Sequence, residues 1–290
     1  MIASRVLPVT LALAAAVGLR AQSSDYPLAI NLPTAERMQY WDIGAAFTHR
    51  FVTPVKDHGK DLYGVDGYAY PGFGLAFGFK PIKGLNVLIY RTPDNKTFTF
   101  GFQQQLADAE YVRSAVRVER FDEVVPHQTT PAGEVGLTGA TVQVPTEFFL
   151  GDLIITLVPT YVTATATRSL DLTTNPATVL PSDKQKKGLF NMGIGLRYGF
   201  TEKFSAMGEY YPKPSRLPNN HIVGQINGED YGYQAGFAFG VSYKTFKHRF
   251  TVIGTNTTGT TASQVLSGDH GGGPRPSGQW SLGFNIVRVF

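Results

Sequence analysis

Large apolar residues alternate with small or polar ones, with a period of two, along most of this chain. Residues 98–102, 190–200 and 280–286 all show the pattern. The longest row of large residues is Tyr231, Tyr233, Ala235, Phe237, Phe239, Val241 and Tyr243. Successive side chains of a β-strand point to opposite faces, whereas a helix repeats every 3.6 residues. The pattern therefore predicts strands with one apolar face and one small or polar face.

Twelve such strands can be delimited. They are predicted at 39–53, 65–79, 84–92, 97–107, 111–121, 140–150, 152–167, 188–200, 203–212, 230–243, 247–257 and 279–290. The connectors alternate between short turns and long loops at 54–64, 122–139, 168–187, 213–229 and 258–278, and only the 93–96 turn breaks the rule. An even strand number with alternating connector lengths is typical of bacterial transmembrane barrels. The predicted fold is all-β, a transmembrane antiparallel up-and-down β-barrel of about twelve strands.

A soluble β-barrel or sandwich would also show alternation. In that case the aromatic faces would need a second sheet to cover them, and the sequence has no further set of strands to supply it. Charged residues make up only 17 % of the chain, against roughly 25 % in soluble domains. Both observations favour the membrane barrel.

The start of the chain predicts export. An apolar stretch from Val6 to Leu19 follows Arg5 and is too short for a membrane-spanning helix. We predict a signal peptide at 1–21, a periplasmic N-terminal extension at 22–38 and the barrel at 39–290. Removing Arg5 and Arg20 lowers the formal charge from +4 to +2, so basicity gives no argument for nucleic acid.

Short turns of such barrels lie in the periplasm and long loops lie outside. This rule predicts that both termini are periplasmic. We expect a monomer in the bacterial outer membrane, with lipid as its surroundings. The absence of cysteine excludes a disulfide framework, a thiolate metal site and a lipoprotein anchor. We expect no cofactor.

The polar face of each strand gives the candidate residues of the lumen. The charged candidates are Asp42, Arg50, Arg113, Arg117, Glu119, Glu147, Arg197, Glu209 and Arg249. Gln103, Gln105 and Gln143 lie on the same face.

Two interpretations are compatible with these charged residues. The arginines could line a narrow passive pore for a small polar or anionic solute, with the acids setting its selectivity. Alternatively, acids and bases could pair across the barrel and close it.

Other functions have weaker support. A closed barrel could be structural or could bind partners through the loops at 122–139, 168–187 and 258–278.

A hydrolase at the rim or on the lipid face is a third hypothesis. However, His49 has no serine in its own strand or the next one, and the cluster of Asp57, His58, Asp61 and Asp66 is typical of a polar loop. The two His-Arg-Phe segments, at 49–51 and 248–250, lie at opposite ends of the predicted barrel, so no metal site is expected. We predict that the protein is not an enzyme.

The C-terminal strand carries the most specific motif. Ending on Phe290, with Trp280 and Phe284 on one face, it resembles the terminal strand that the barrel-assembly machinery recognises, which makes that machinery an expected partner. Arg288 departs from the pattern, because the position two places before the end is usually apolar.

The chain also resembles a bacterial family of exported β-barrels classed as a domain of unknown function. The segments that carry this resemblance are residues 49–51, Tyr63-Gly-Val-Asp66, Arg91 with Lys96, and Leu282-Gly-Phe-Asn-Ile-Val-Arg-Val-Phe290. This resemblance covers nearly the whole mature chain and implies an outer-membrane barrel, without any established substrate or catalytic residue.

Overall fold

The computed structural model describes residues 25–55, 62–79, 82–93, 96–126, 134–163, 170–171, 178–179, 188–212, 222–226, 229–232, 235–267 and 279–290. The predicted signal peptide at 1–21 lies outside these residues and stays a prediction. Within the described part of the chain, no helix is both long enough and apolar enough to span a membrane.

Twelve strands form one closed antiparallel barrel. Their bounds are β1 Ile43–Phe51, β2 Ala69–Gly78, β3 Leu85–Arg91, β4 Phe98–Asp108, β5 Val112–Pro126, β6 in two segments Glu134–Gln143 and Thr146–Leu150, β7 Leu153–Val162, β8 Leu189–Gly199, β9 Phe204–Tyr211, β10 Gly236–Lys244, β11 His248–Thr255 and β12 Ser281–Val289. Each strand pairs with its neighbours in the chain, and β1 pairs with β12 to close the barrel, from Gly44 opposite Val289 to Arg50 opposite Gly283. The predicted fold class is confirmed.

The break in β6 has a simple chemical cause. Pro145 has no N–H and cannot donate to the ladder. The register with β7 is nevertheless the same on both sides of the break, since Gln143 lies opposite Thr160 and Thr146 lies opposite Leu157. The two segments are therefore one strand of the wall.

The two faces of the wall follow the predicted alternation. On β4, Phe98, Phe100 and Phe102 are exposed on the outer face, whereas Thr99 and Gln103 are buried inside. On β10, Phe239 and Val241 are exposed while Ala238 and Ser242 are buried. A continuous belt of exposed aromatic side chains suits contact with lipid and would be costly in water.

The strand connections define two rims. At the short-turn rim lie the connections 79–84, 109–111, 151–152, 200–203 and 245–247, together with the start of β1 and the end of β12. At the long-loop rim lie the others, which include a 3₁₀ turn at Leu62–Gly64, a small hairpin of Leu170–Asp171 with Thr178–Val179, and the α-helix α1 at Ala262–Ser267. The compact 92–97 connection is the exception that the sequence predicts.

Two predicted boundaries are wrong. The region 122–139 is mostly strand, because β5 continues to Pro126 and β6 begins at Glu134, so the hairpin rises beyond its neighbours. The predicted strand 230–243 is two elements. Its first residues, Glu229–Gly232, pair with Ile222–Ile226 in a separate hairpin, and the barrel strand begins at Gly236. Tyr231 therefore does not belong to the lipid-facing row, and Tyr233 lies outside the described residues.

Candidate functional site in the barrel lumen

A stretch of the chain before β1 lies inside the barrel. We call residues 25–38 the N-terminal plug. Its apolar side chains pack against small and apolar residues of the inner wall, with Leu28 and Met38 in one cluster and Ile30 and Leu32 in another. Residues 22–38 are predicted from the sequence to form a periplasmic extension. The structure instead places 25–38 in the lumen, where every one of its buried apolar residues is shielded from water.

The middle of the plug is bound by one carboxylate of the wall, Glu209 on β9. The backbone N–H groups of Ile30, Asn31 and Leu32 donate to its two oxygens at 2.7, 2.9 and 3.2 Å. The hydroxyl of Tyr211 also donates to it. Successive N–H groups that converge on an anion form a nest, which offsets the cost of burying the charge. Glu209 is thus an anchor for three consecutive residues of the plug.

Opposite this anchor, Arg50 on β1 and Asn285 on β12 hold the same part of the plug. Arg50 Nη2 donates to Asn31 Oδ1 at 2.6 Å, and its Nη1 donates to Asn285 Oδ1 at 2.9 Å. Asn285 Nδ2 in turn donates to the carbonyl of Ile30 at 2.7 Å. Arg50 is fully buried. Its charge is therefore tied into a network that includes the plug and two separate strands of the wall.

The C-terminal half of the plug meets β4, β5 and β6. Glu36 forms a salt bridge of 2.6 Å with Arg113. Ala35 N–H donates to Glu147 at 3.1 Å, and Gln103 Nε2 donates to the carbonyls of Thr34 and Glu36. These contacts satisfy polar groups of the wall that an empty lumen would leave to water.

The start of the plug is held by a cationic pair. Arg249 Nη1 donates to Asp25 Oδ2 at 3.0 Å, and Lys244 Nζ lies 3.6 Å from the same oxygen. Burial raises the pKa of the Asp25 carboxyl, but the positive charges of Arg249, Lys244 and Arg197 outweigh that effect, so this pKa lies below its ordinary value. Asp25 is therefore ionised at neutral pH.

A second segment enters the lumen from the long-loop rim. Residues 256–266, which we call the inner loop, are buried throughout. Asn191 Nδ2 on β8 donates to the carbonyl of Leu266 at 2.8 Å, and Gln264 Nε2 donates to Thr97 Oγ1, beside β4, at 3.3 Å. The loop thus reaches from β11 to distant parts of the wall. This corrects the interpretation of 258–278 as a surface loop for its first residues; 268–278 lie outside the described residues.

The two inserted segments also touch each other. Ile30 and Leu32 of the plug share one apolar cluster with Ala262, Val265 and Leu266 of the inner loop. The wall contributes Val158, Met207, Tyr211, Ala238 and Ile253 to this cluster. The lumen therefore has a core of its own, as a soluble domain does.

Eight of the nine charged residues predicted for the lumen lie on the inward face. They are Arg50, Arg113, Arg117, Glu119, Glu147, Arg197, Glu209 and Arg249. Asp42 precedes β1 at the short-turn rim and is partly exposed. Among the described residues, Arg117 pairs with Glu119 of its own strand, Arg113 lies 3.8 Å from Glu147 of the neighbouring strand, and several of these charges bind the plug. Their roles in transport stay a prediction.

The candidates predicted from the sequence include four wall partners of the plug, Arg50, Arg113, Glu209 and Arg249, but no residue of the plug itself. Asp25, Asn31 and Glu36 were not considered because the segment was placed outside the barrel. One signal was present in the sequence, since Tyr26, Leu28, Ile30 and Leu32 alternate with other residues in the same way as the strands do. The two-residue alternation also places Tyr211 and Asn285 on the inward face, so both could have been included among the predicted lumen residues.

Among the described residues, none is hydrogen-bonded to the buried Nδ1 atom of the candidate His49. His49 lies on the outer face, stacked on Phe284 with ring centroids 4.9 Å apart. Asp57, His58 and Asp61 lie outside the described residues. Within the described part of the chain, no group of three or more His, Asp or Glu side chains is close enough to hold a metal ion.

The terminal strand accommodates its unusual arginine at the short-turn rim. Arg288 is exposed on the outer face, where its guanidinium lies 4.7 Å from the centre of the Phe290 ring and 3.1 Å from His248 Nε2. Phe284 faces outward as predicted, and Trp280 lies just before β12 and contacts Phe239. Whether these aromatic residues act as an assembly signal stays a prediction.

Several solved structures of outer-membrane proteins are similar to this chain. The NanC porin is 10 % identical over 86 % of this chain and 98 % of its own, with a TM-score of 0.45. An outer-membrane channel from Pseudomonas putida F1 is 11 % identical over 94 % and 100 %, also with 0.45. Outer membrane phospholipase A from Escherichia coli is 12 % identical over 92 % and 94 %, with 0.37. With identities this low, nothing about substrate or activity follows for this chain.

No curated protein matches the sequence. Residues 148–290, however, match the model of a membrane-bound β-barrel domain, DUF5777. The matched region begins within β6 and contains the terminal strand, whereas the segments near residues 49–51, 63–66 and 91–96 precede it. The resemblance proposed from the sequence is confirmed at this level, since residues 148–290 match a family of membrane-bound β-barrel domains whose function is not known.

Proposed function

We propose that this protein is a bacterial outer-membrane barrel with a polar lumen that its own N-terminal plug keeps shut, and that small polar or anionic solutes pass when the plug leaves. The observation that carries this proposal is the binding of the plug by the charged residues of the wall. Glu209, Arg113 and Arg249 each use a charge to hold a backbone or side-chain group of residues 25–38.

Charged inner walls are expensive unless water or a partner solvates them. A barrel built only as a closed structural element could fill its lumen with apolar side chains, as small barrels do. Here the wall presents at least five arginines and three glutamates inward, and the plug supplies partners for several of them. Such groups can exchange a protein partner for water, because a hydrogen bond to water replaces each one that is lost. This chemistry favours a removable plug over a permanent filling.

The plug and the wall leave little room while they are in contact. Between Ala29, Met207 and Glu209 the free volume is about 10 Å³, which is about the space of one water molecule. Larger cavities, of about 390 and 290 Å³, lie next to the short-turn rim. Passage of a solute therefore requires displacement of residues 25–38.

The orientation follows from connector length. We propose that the short-turn rim faces the periplasm, so that both ends of the barrel and the entry of the plug lie on that side. Lipid then covers the aromatic outer face. We also propose that the protein is not an enzyme, a view supported by the packing of His49 between phenylalanine rings rather than beside a nucleophile.

The test is single-channel conductance of the refolded chain in a planar bilayer. The chain from residue 22 is expected to be closed for most of the time, and the chain from residue 39 to give steady openings. A third variant with residues 25–38 replaced by a Gly/Ser segment of equal length separates loss of side chains from loss of length. Folding is checked by heat-dependent mobility on gels.

Steady currents in both altered chains would support the plugged pore. If both were fully folded and silent, the lumen would be permanently closed, and the alternative of a structural or surface-binding barrel would replace this proposal.

A further inference from the structure

A cavity of about 390 Å³ opens at the short-turn rim beside the first residues of the plug. Its inner part is built by side chains from the ends of four neighbouring strands, Arg197 on β8, Ser205 on β9, Lys244 on β10 and Arg249 on β11, together with Asp25 of the plug. Its volume falls in the range of roughly 300–1,000 Å³ that is usual for small-molecule sites.

The inner part of this cavity carries an excess of positive charge. Three cations, Arg197, Lys244 and Arg249, face one carboxylate, that of Asp25. The other charged residues of the cavity, Asp152, Glu202 and Lys203, lie on exposed turns at its mouth. Because solvent screens the charges at the mouth but screens those inside much less, the inner part attracts anions.

Arg197 is the residue with spare binding capacity. Asp25 lies within salt-bridge distance of Arg249 and Lys244, at 3.0 and 3.6 Å. Among the described residues, no carboxylate lies within salt-bridge distance of Arg197. Arg197 interacts with Asp25 and Glu147 only through longer-range electrostatic attraction. A guanidinium presents parallel N–H donors that match the two oxygens of a carboxylate.

Hydroxyl groups complete the lining. Ser205 and Ser242 face the same cavity, and Ser242 Oγ accepts a hydrogen bond from Thr251 at 3.2 Å, which leaves its own O–H to donate. Donors therefore surround the space next to Arg197 on several sides.

We propose that this cavity binds a small organic anion through a carboxylate group, with Arg197 as its main partner. The anion also meets Lys244 and Arg249, so it competes there with the carboxylate of Asp25. Binding thereby weakens the attachment of the plug at its first residue. The site goes beyond the proposed pore, because it needs only a folded barrel and not a conducting one.

The test is isothermal titration calorimetry of the refolded full chain in detergent, at neutral pH and low salt, with succinate as the probe. Succinamide, which has the same length but no charge, is the negative control. Arg197→Gln is expected to weaken succinate binding by about tenfold or more, because a charge-assisted hydrogen bond contributes that much or more. Arg197→Lys, which keeps the charge and loses the paired donors, is expected to bind with intermediate affinity.

Two further variants make the test specific. Arg288→Gln removes one positive charge at the same rim but on the outer face, and it is expected to leave the affinity unchanged. Asp25→Asn removes the competing carboxylate and is expected to tighten binding several-fold.

Equal losses in Arg197→Gln and Arg288→Gln would show only a general effect of charge and would overturn the site. Equal binding of succinamide, or of sulfate at the same concentration, would overturn the assignment to a carboxylate. None of these results depends on current, so a silent pore would leave the site standing, and failure to bind succinate would leave the plugged pore standing.

Discussion

The two segments that fill the lumen are held in different ways. The plug, residues 25–38, is attached through charged groups as well as through apolar packing, and the charged groups include Glu209, Arg249 and the pair of Glu36 with Arg113. The inner loop, residues 256–266, contains no charged residue at all. It is fixed by amide and hydroxyl contacts and by apolar packing. The plug precedes β1, whereas the inner loop lies between β11 and β12.

This difference indicates which of the two segments can leave the lumen. The charged groups of the wall that hold the plug can bind water in its place when it leaves. The inner loop has no charged group of its own and stays attached to β11 and β12 at both of its ends. We therefore expect the plug to be the mobile gate and the inner loop to be a fixed constriction.

The largest expected effect comes from the anchor of the plug. Glu209→Ala removes the acceptor of three backbone N–H groups, and hydrogen bonds to a charged group contribute about 1.5–3 kcal/mol each. We expect the free energy of plug release to fall by about 3 kcal/mol or more. Because the chain has no natural cysteine, Ala29→Cys serves as a reporter, and its labelling by a maleimide should become at least roughly a hundredfold faster.

The control is the same anchor variant with the reporter in the inner loop, Ser263→Cys. Its labelling should change far less, since only the shared apolar cluster couples the two segments. If both reporters accelerated equally, the plug and the inner loop would open as one unit, and the distinction drawn between them would fail.

A smaller effect is expected at the inner loop. Asn191→Ala removes two hydrogen bonds, to the carbonyls of Pro212 and Leu266. Neutral hydrogen bonds contribute about 0.5–1.5 kcal/mol each, and only the bond to Leu266 holds the inner loop, so release of the loop should become easier by about 0.5–1.5 kcal/mol. Labelling of Ser263→Cys measures this, while labelling of Ala29→Cys should stay near its original rate. A larger effect on the plug reporter would show that the loop holds the plug in place.

The smallest effect concerns pH at the start of the plug. Arg249, Lys244 and Arg197 keep the pKa of Asp25 below its ordinary value against the opposing effect of burial. A lowered pKa in the docked state means that Asp25 stabilises docking above the ordinary carboxyl pKa and that this contribution is lost as the pH falls through the docked value. Docking should therefore weaken on acidification.

Asp25→Asn should release the plug more easily at neutral pH, by about 1 kcal/mol, and should remove this part of the pH dependence. Labelling of Ala29→Cys at neutral and acidic pH, measured with a reagent that tolerates acid, gives both quantities. An unchanged pH dependence in Asp25→Asn would assign the effect to other carboxylates.

Much of the wall could be predicted from the sequence because the alternation of side chains between the two faces of a strand is a local property. Phe98, Phe100 and Phe102 point outward and Gln103 points inward for the same reason, the two-residue period, and no knowledge of the rest of the fold is needed. Turn residues and connector lengths then fix the order of the strands. The errors in the wall, at 122–139 and 230–243, arose where strand pairing continued or stopped outside the membrane, and there no lipid face marks the boundary.

The contents of the lumen could not be predicted in the same way. The position of the plug depends on contacts between Ile30 and Glu209, which lie far apart in the chain, and on a register across the barrel that the sequence does not contain. The alternation of Tyr26, Leu28, Ile30 and Leu32 predicts burial of one side but does not name the surface that covers it. Glu209 was correctly placed on the inward face, yet its partner was sought among other wall residues.

The central claim is that the plug must leave before anything passes, and a reversible lock tests it most directly. A Cβ atom at Gly193 would lie 2.5 Å from a Cδ and 3.4 Å from the Cγ of Leu32, so the pair Leu32→Cys and Gly193→Cys suits a disulfide between plug and wall. The measurement is conductance of this double variant in one bilayer before and after reduction, with each single variant as control. We predict silence when oxidised and openings once a reductant is added. Equal currents in both states would contradict the account.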